Sequence, residues 1–138
     1  MKLSISEILK KASQSATDQD RANALRSYDT VPLRQVLWAA LDPQVKWLLP
    51  AGNPPYKPCD LVDQQHRLFT EARKLYLFLE NGNPNLKQVR REALFIELLE
   101  SLDPEDAKLI LAAKDKTIPY PGITIEVVNL AFPGLIDV

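Results

Sequence analysis

Capped helix starts are the sequence feature that most constrains the fold of this chain. Ser4 and Glu7 have the spacing of a capping box, in which each residue satisfies a free backbone N–H of the other in the first turn of a helix. Thr17 and Asp20 repeat that spacing. Apolar residues at helical intervals follow both starts. The sequence therefore predicts two short helices near the N-terminus.

The next segment begins as a helix and then loses its helical pattern. Pro32 stands at a first-turn position, and apolar residues keep helical spacing until Asp42-Pro43 interrupts them. Residues 45–49 are apolar and brief, and we expect a single helical turn that packs its tryptophan inward. Residues 50–63 are rich in proline and have no helical period, which predicts a surface loop within one domain.

Two longer helices are predicted next, over residues 64–80 and 86–102. Gly82 suits a left-handed cap after the first of them, and Asn85 can cap the second. The residues expected to face inward are Leu68, Ala72, Leu75, Tyr76 and Leu79 in the first helix, and Leu86, Val89, Ala93, Ile96 and Leu99 in the second.

Two further helix starts follow. Asp103-Pro104 combines a cap with a first-turn proline and opens a helix that reaches about Lys114. Thr124 can cap a last helix that ends near Ala131, although the β-branched character of residues 123–128 leaves a short strand as the competing interpretation. The sequence thus predicts an all-α protein, with residues 1–138 forming one domain of six or seven helices.

Length, cysteine content and charge limit the kinds of protein that this chain can be. The chain has 138 residues, which fits one domain, and its single cysteine excludes an intrachain disulfide. No segment approaches the roughly 18 apolar residues that a membrane span needs, and the start does not resemble a signal peptide. The net charge of -1 excludes a strongly basic protein but permits one basic face. We expect a cytoplasmic protein without membrane contact.

Side chains that could carry catalysis are sparse in this sequence. His66 is the only histidine, and no cysteine is close to it in sequence. Cys59 has no basic neighbour other than Lys57. Acidic pairs such as Glu97 and Glu100 are explained by their positions on a helix face, and no glycine-rich phosphate loop is present. We expect no enzyme activity, no cofactor and no metal.

A first group of basic residues is a candidate for nucleic-acid contact. Lys87, Arg90 and Arg91 lie within a turn and a half of one predicted helix. The preceding predicted helix carries Arg67, Arg73 and Lys74. A solvated helix face is the competing interpretation, because acidic residues interrupt the basic run.

A second candidate combines basic residues with a turn between two helices. Lys114 and Lys116 close one helix, and Gly122 and Thr124 open the next. Lysines beside free backbone N–H groups can form a phosphate clamp. The competing interpretation is that lysines at a helix end only complement the helix dipole.

The C-terminal sequence carries a family resemblance. Gly122-Ile123-Thr124, then Asn129, then Phe132-Pro133-Gly134-Leu135-Ile136 resembles the end of the N-terminal DNA-binding domain of ATP-dependent DNA ligases, particularly the phage type. Counterparts of Pro32-Leu33-Arg34-x-Val36 and Val45-x-Trp47 occur in the same order. The chain is also similar to short, uncharacterised proteins of tailed phages, including cyanophages.

The resemblance implies a helical domain that grips duplex DNA across the minor groove through backbone contacts, with little sequence preference. Gly122 and Thr124 match the loop and helix start of that family, and Lys114 matches a basic position before it. The sequence contains no counterpart of the adenylation domain that performs ligation. A phage source would place the protein in the cytoplasm of a bacterial host.

These observations predict a non-catalytic DNA-binding accessory protein whose partner is double-stranded DNA. A protein-interaction adaptor or virion component that keeps the helical scaffold without DNA binding is the alternative. The proline-rich loop and the apolar tail at residues 135–138 favour it, since such a tail can dock in the groove of a replication or transcription protein.

Overall fold

All regular secondary structure in the described part of the chain is helical. The computed structural model describes residues 3–50, 52–61 and 64–137. Its α-helices are α1 (Ile5–Ser13), α2 (Asp18–Ser27), α3 (Val31–Leu41), α4 (Arg67–Glu71), α5 (Gln88–Ser101), α6 (Pro104–Lys114) and α7 (Ile125–Ala131), and a 3-10 helix (Ala72–Phe78) continues α4. They form one compact domain, which confirms the all-α prediction. The competing strand at residues 123–128 is wrong, because Thr124 caps α7 there.

Most of the predicted helix starts are formed as expected. The Ser4 hydroxyl accepts the Glu7 backbone N–H at 3.2 Å, and the Glu7 carboxylate accepts the Ser4 N–H at 3.0 Å. Thr17 and Asp103 also cap their helices through their side chains. These contacts satisfy N–H groups that the first turn of a helix leaves free, so short helices can start at defined positions.

The helix predicted over residues 64–80 is shorter than expected and is α-helical only in its first part, over Arg67–Glu71. After α4 the chain tightens into the 3-10 helix, because its end pairs with the segment before the proline-rich loop. The Leu48 N–H donates to the Phe78 carbonyl at 2.7 Å, and the Glu80 N–H donates to the Lys46 carbonyl at 2.8 Å. Tyr76, which was expected to face inward, is 50% exposed.

The turn after the 3-10 helix also differs from the prediction. Asn81, with φ of 68°, takes the left-handed conformation that was predicted for Gly82. Glycine is still needed at position 82, because a Cβ atom there would lie 1.8 Å from the Tyr76 carbonyl oxygen. Asn85 does not cap α5, whose N-cap is Lys87.

The orientation of α5 follows from contacts at its first turn. The Gln88 side chain donates to the Leu48 carbonyl at 2.7 Å, and Arg91 points inward. Val89, which was predicted to be buried, is therefore turned outward and is 84% exposed. Phe95 is buried one turn later, with its ring centroid 5.2 Å from that of Phe78.

Residues 45–49 are not helical, which corrects the expectation of a helical turn. Trp47 forms an isolated antiparallel bridge with Leu79, and its indole N–H donates to the Ala39 carbonyl at 2.9 Å. The tryptophan is half-buried against the Phe95 ring. The described residues of the proline-rich loop form no helix or strand, as predicted, and the Lys57 backbone N–H donates to Glu100 on α5 at 2.8 Å.

The C-terminal tail packs on its own domain. The Asn129 side-chain amide donates to the Ile136 carbonyl and accepts the Ile136 N–H, at 3.1 and 3.0 Å. The Ile136 side chain is buried, and the Asp137 N–H donates to Asp42 at 3.3 Å. Residues 135–137 of the tail are therefore bound to their own domain and are not free to dock in the groove of a partner. Residue 138 lies outside the described residues. Among the helices of the described ranges, none has the length and apolar character that a bilayer crossing requires.

Candidate nucleic-acid interface

The loop before α7 has the local geometry that the sequence predicts. Gly122 has a φ of 88°, in the left-handed region where a side chain is strained. The Thr124 hydroxyl accepts the Val127 N–H at 3.2 Å and caps α7. The structure thus has the predicted turn and helix start, whereas the phosphate contact itself stays a prediction.

The lysine part of that clamp is not formed, because both ammonium groups bind protein oxygens. The Lys114 side chain is buried, and its Nζ donates to the Pro50 carbonyl at 3.0 Å and to Asp115 at 2.7 Å. Lys116 Nζ donates to the carbonyls of Ala39 and Asp42, at 3.1 and 2.6 Å.

Lys116 closes the end of α3 in the way that a cation satisfies carbonyl groups left free by a helix terminus. Burial lowers the pKa of its ammonium group, and the nearby Asp42 carboxylate opposes that shift. The competing interpretation, in which Lys114 and Lys116 only complement a helix end, therefore describes Lys116. The helix end that Lys116 complements is that of α3, and not that of α6, which precedes it in the sequence.

The basic group beside Gly122 is Arg21, which the sequence did not reveal. A Cβ atom on Gly122 would lie 2.6 Å from Arg21 Nε, so glycine at this position makes room for the guanidinium. One terminal nitrogen of Arg21 pairs with Asp18 at 2.7 Å, whereas Nε is buried without a partner among the described residues. Because α2 and α7 meet only in the folded protein, no local signal links these positions.

Arg91 is a structural residue. It is 5% exposed, and its Nε donates to the Leu77 carbonyl at 3.0 Å. Its two terminal nitrogens donate to the Gln88 side chain at 2.6 Å and to the Asn83 carbonyl at 3.3 Å. Arg91 thus ties α5 to the turn before it, and its guanidinium is not available to a ligand.

Lys87 and Arg90, in contrast, are exposed and form no ion pair with a described residue. Together with Leu94 they follow the three- and four-residue spacing of one helix side. Leu94 lines a groove of about 170 Å³ between α4, the 3-10 helix and α5. Lys87 and Arg90 do not line the groove themselves; they lie about two turns and one turn before Leu94 on the same side of α5.

The opposite side of the groove carries the basic residues that precede α5 in the sequence. Arg67 and Lys74 line it and pair with the buried Glu71 carboxylate, at 3.3 and 3.2 Å. Each of the two basic side chains remains about half exposed. We use the name α5 basic face for four residues: Lys87 and Arg90 at the start of α5, together with Arg67 on α4 and Lys74 on the 3-10 helix, which pack beside it. Glu71 and Glu97 also line the groove, so acidic and basic side chains are both present there.

Other reactive side chains do not assemble into a site in the described ranges. His66 is exposed at the start of α4, and Cys59 is half-buried in the proline-rich loop. The described residues contain no group of three or more histidine, cysteine or acidic side chains that could hold a metal ion.

The described residues form a small all-helical domain with exposed basic side chains in and beside a groove. A family model described as a family of unknown function (DUF6433) matches residues 8–119. Because the match covers most of the chain, the protein belongs to that family. No curated protein and no solved structure matches the chain.

Proposed function

We propose that this protein is a non-catalytic DNA-binding accessory protein that contacts the phosphate backbone of a duplex with little sequence preference. The observation that carries the proposal is a set of four accessible cations: Arg67 and Lys74 line one groove, and Lys87 and Arg90 are exposed at the start of α5, on the helix side that carries the groove residue Leu94. The resemblance to the DNA-binding domain of phage ligases supports a role beside a phage replication or transcription protein in the host cytoplasm.

The chemistry of the α5 basic face suits phosphates better than bases. Its side chains are long cations, half-exposed in the groove or exposed beside it, and phosphate contacts position a protein on DNA without reading sequence. The buried Glu71 carboxylate orients Arg67 and Lys74 while leaving half of each side chain accessible. A Gln or Asn aimed at base edges is not needed for such contacts.

The test is the salt dependence of duplex binding, measured by fluorescence anisotropy. Each phosphate contact contributes about -0.9 to the slope of log affinity against log salt concentration. We expect the Lys87→Gln/Arg90→Gln variant to weaken binding and reduce the steepness of that slope by about two units. The matched control is Lys57→Gln/Lys108→Gln, which removes the same charge from exposed positions elsewhere. Equal losses in both variants would contradict a localised interface.

A protein-interaction adaptor is a second candidate function, favoured by a separate apolar depression. This depression, about 260 Å³ in volume, lies between the proline-rich loop and α5 and is lined in part by Leu49, Pro54, Phe95 and Ile96. If the chain serves only as an adaptor, wild-type protein will not bind duplex DNA at about 50 mM salt, where electrostatic binding is strong.

A further inference from the structure

The first turns of α1 and α6 meet around a buried carboxyl group. Asp106, in the first turn of α6, is completely inaccessible to solvent. Its Oδ1 accepts the Ser6 backbone N–H of α1 at 3.0 Å. Its Oδ2 has no hydrogen-bond partner among the described residues. A carboxylate in this position carries a buried charge with only part of its hydrogen-bonding capacity satisfied.

Further acidic groups surround this junction. Glu7 lies on α1, and Asp103 and Glu105 lie at the start of α6; all three line a depression of about 430 Å³ over the junction. Lys10 and Tyr120 line the same depression, from α1 and from the loop before α7. The carboxylates therefore outnumber the single lysine.

Burial raises the pKa of Asp106 to about 6, the hydrogen bonds from Ser6 oppose this shift, and the charges of Asp103 and Glu7 add to it. Burial also raises the pKa of the Tyr120 hydroxyl, so that side chain stays neutral over the pH range in which Asp106 titrates. The negative charge at the junction can thus be relieved by one proton on Asp106.

We propose that Asp106 is a pH-sensitive latch between α1 and α6: its carboxyl group takes up a proton from solvent on mild acidification, and the packed junction of the two helix starts is more stable around the neutral acid than around the buried carboxylate. Proton uptake removes the buried charge, and this gain exceeds the loss from the weaker hydrogen bond that a neutral carboxyl group accepts from Ser6. The Ser6 N–H contact to Oδ1 persists in both forms. This inference is independent of DNA binding.

The direction of the pH effect follows from the pKa in the two states. The Asp106 pKa is about 6 in the folded protein and 3.8 for an ordinary aspartate, so between these values the folded state binds the additional proton. Stability from this group is therefore greatest at acid pH and is lost as the pH rises through 6. From pH 5 to pH 8 the folding equilibrium constant should fall about tenfold through Asp106.

The direct test is a nuclear magnetic resonance titration of the wild-type protein. We expect the Asp106 carboxyl carbon and the Ser6 amide to shift together with one midpoint near pH 6. A carboxyl midpoint near pH 4, or a Ser6 amide that does not follow it, would overturn the proposal.

A variant comparison tests the energetic consequence. Asp106→Asn mimics the neutral acid at every pH. The ratio of its folding equilibrium constant to that of the wild type should therefore rise about tenfold from pH 5 to pH 8. Glu105→Gln is the control, because Glu105 is an exposed carboxylate in the same turn, and its profile should parallel the wild type. An Asp106→Asn profile parallel to the wild type would count against the latch, and the wild-type titration decides the matter if that variant does not fold.

Discussion

Arg90 and Arg91 are neighbours in the sequence but serve opposite purposes in the structure. Arg91 is buried and binds two backbone carbonyls and a glutamine side chain, whereas Arg90 points to solvent on the α5 basic face. The same contrast separates the Lys114 and Lys116 region from the α5 basic face as a whole. A run of basic residues in this protein therefore contains two kinds of side chain. Some contribute charge to the surface, and others donate hydrogen bonds to backbone carbonyl groups inside the fold.

The inward-turned cations share a physical role. Carbonyl groups at helix ends and in turns lose their backbone partners, and a long cationic side chain can reach them from elsewhere in the chain. Lys116 does this for α3, and Arg91 does it for the turn before α5 by donating to the Asn83 carbonyl. Such residues contribute to stability and leave little charge for a ligand.

The largest effect is expected for Arg91→Ala. Its removal leaves the carbonyls of Leu77 and Asn83 without their donor in a buried region, so the free energy of unfolding should fall by about 3 kcal/mol. Urea denaturation followed by circular dichroism measures this loss. The neighbouring variant Arg90→Ala is the control, and a comparable loss there would break the distinction between the two arginines.

Lys114→Met should have the next largest effect. Methionine keeps the apolar stem but leaves the Pro50 carbonyl unpaired, and we expect a loss of about 2 kcal/mol in the free energy of unfolding. Because Lys114 is buried, the salt slope of DNA binding should match the wild type. If a folded Lys114→Met protein had a less steep salt dependence of DNA binding than the wild type, Lys114 would have to contact DNA, which would contradict this prediction.

Thr124→Ala tests whether the start of α7 belongs to the structural region. Loss of the cap to the Val127 N–H should lower the free energy of unfolding by about 1 kcal/mol. Thr124→Ser retains the hydroxyl and should recover most of it. DNA binding that is weaker for Thr124→Ala but not for Thr124→Ser, with stability unchanged, would instead indicate a direct phosphate contact of the hydroxyl.

The smallest effect on stability is expected for Lys87→Gln/Arg90→Gln. Exposed side chains without ion-pair partners change the free energy of unfolding by about 0.5 kcal/mol or less. Thermal and urea unfolding should therefore overlay the wild-type curves while DNA binding weakens. A large loss of stability would show that these residues also belong to the structural set.

Local chemistry made most of the fold predictable. Ser4, Thr17, Asp103 and Thr124 act through atoms within three residues, so their helix starts could be read from the sequence. The 3-10 helix was missed because it depends on pairing between residues 46–48 and 78–80, which comes from tertiary structure. Val89 was placed inward because helical spacing alone does not fix which side of a helix faces the core.

The candidate site was less predictable for the same reason. Nothing near Lys114 in the sequence indicates that its ammonium group binds the Pro50 carbonyl, and nothing near Gly122 points to Arg21. In the sequence, Asp106 is one of several acids at a helix start, and only the folded structure shows that it is buried against α1. The basic runs around Arg67 and Arg90 were visible in the sequence, but their position in and beside one groove was not.

The most direct test of the central claim is to map a short DNA duplex onto the protein by amide chemical-shift changes in a 15N-labelled sample at low salt. We expect shifts concentrated in α4, the 3-10 helix and the first half of α5, around Arg67, Lys74, Lys87 and Arg90, with the surroundings of Lys114 unchanged. Shifts centred instead on Gly122 and Thr124, or the absence of any shift at saturating duplex, would contradict it.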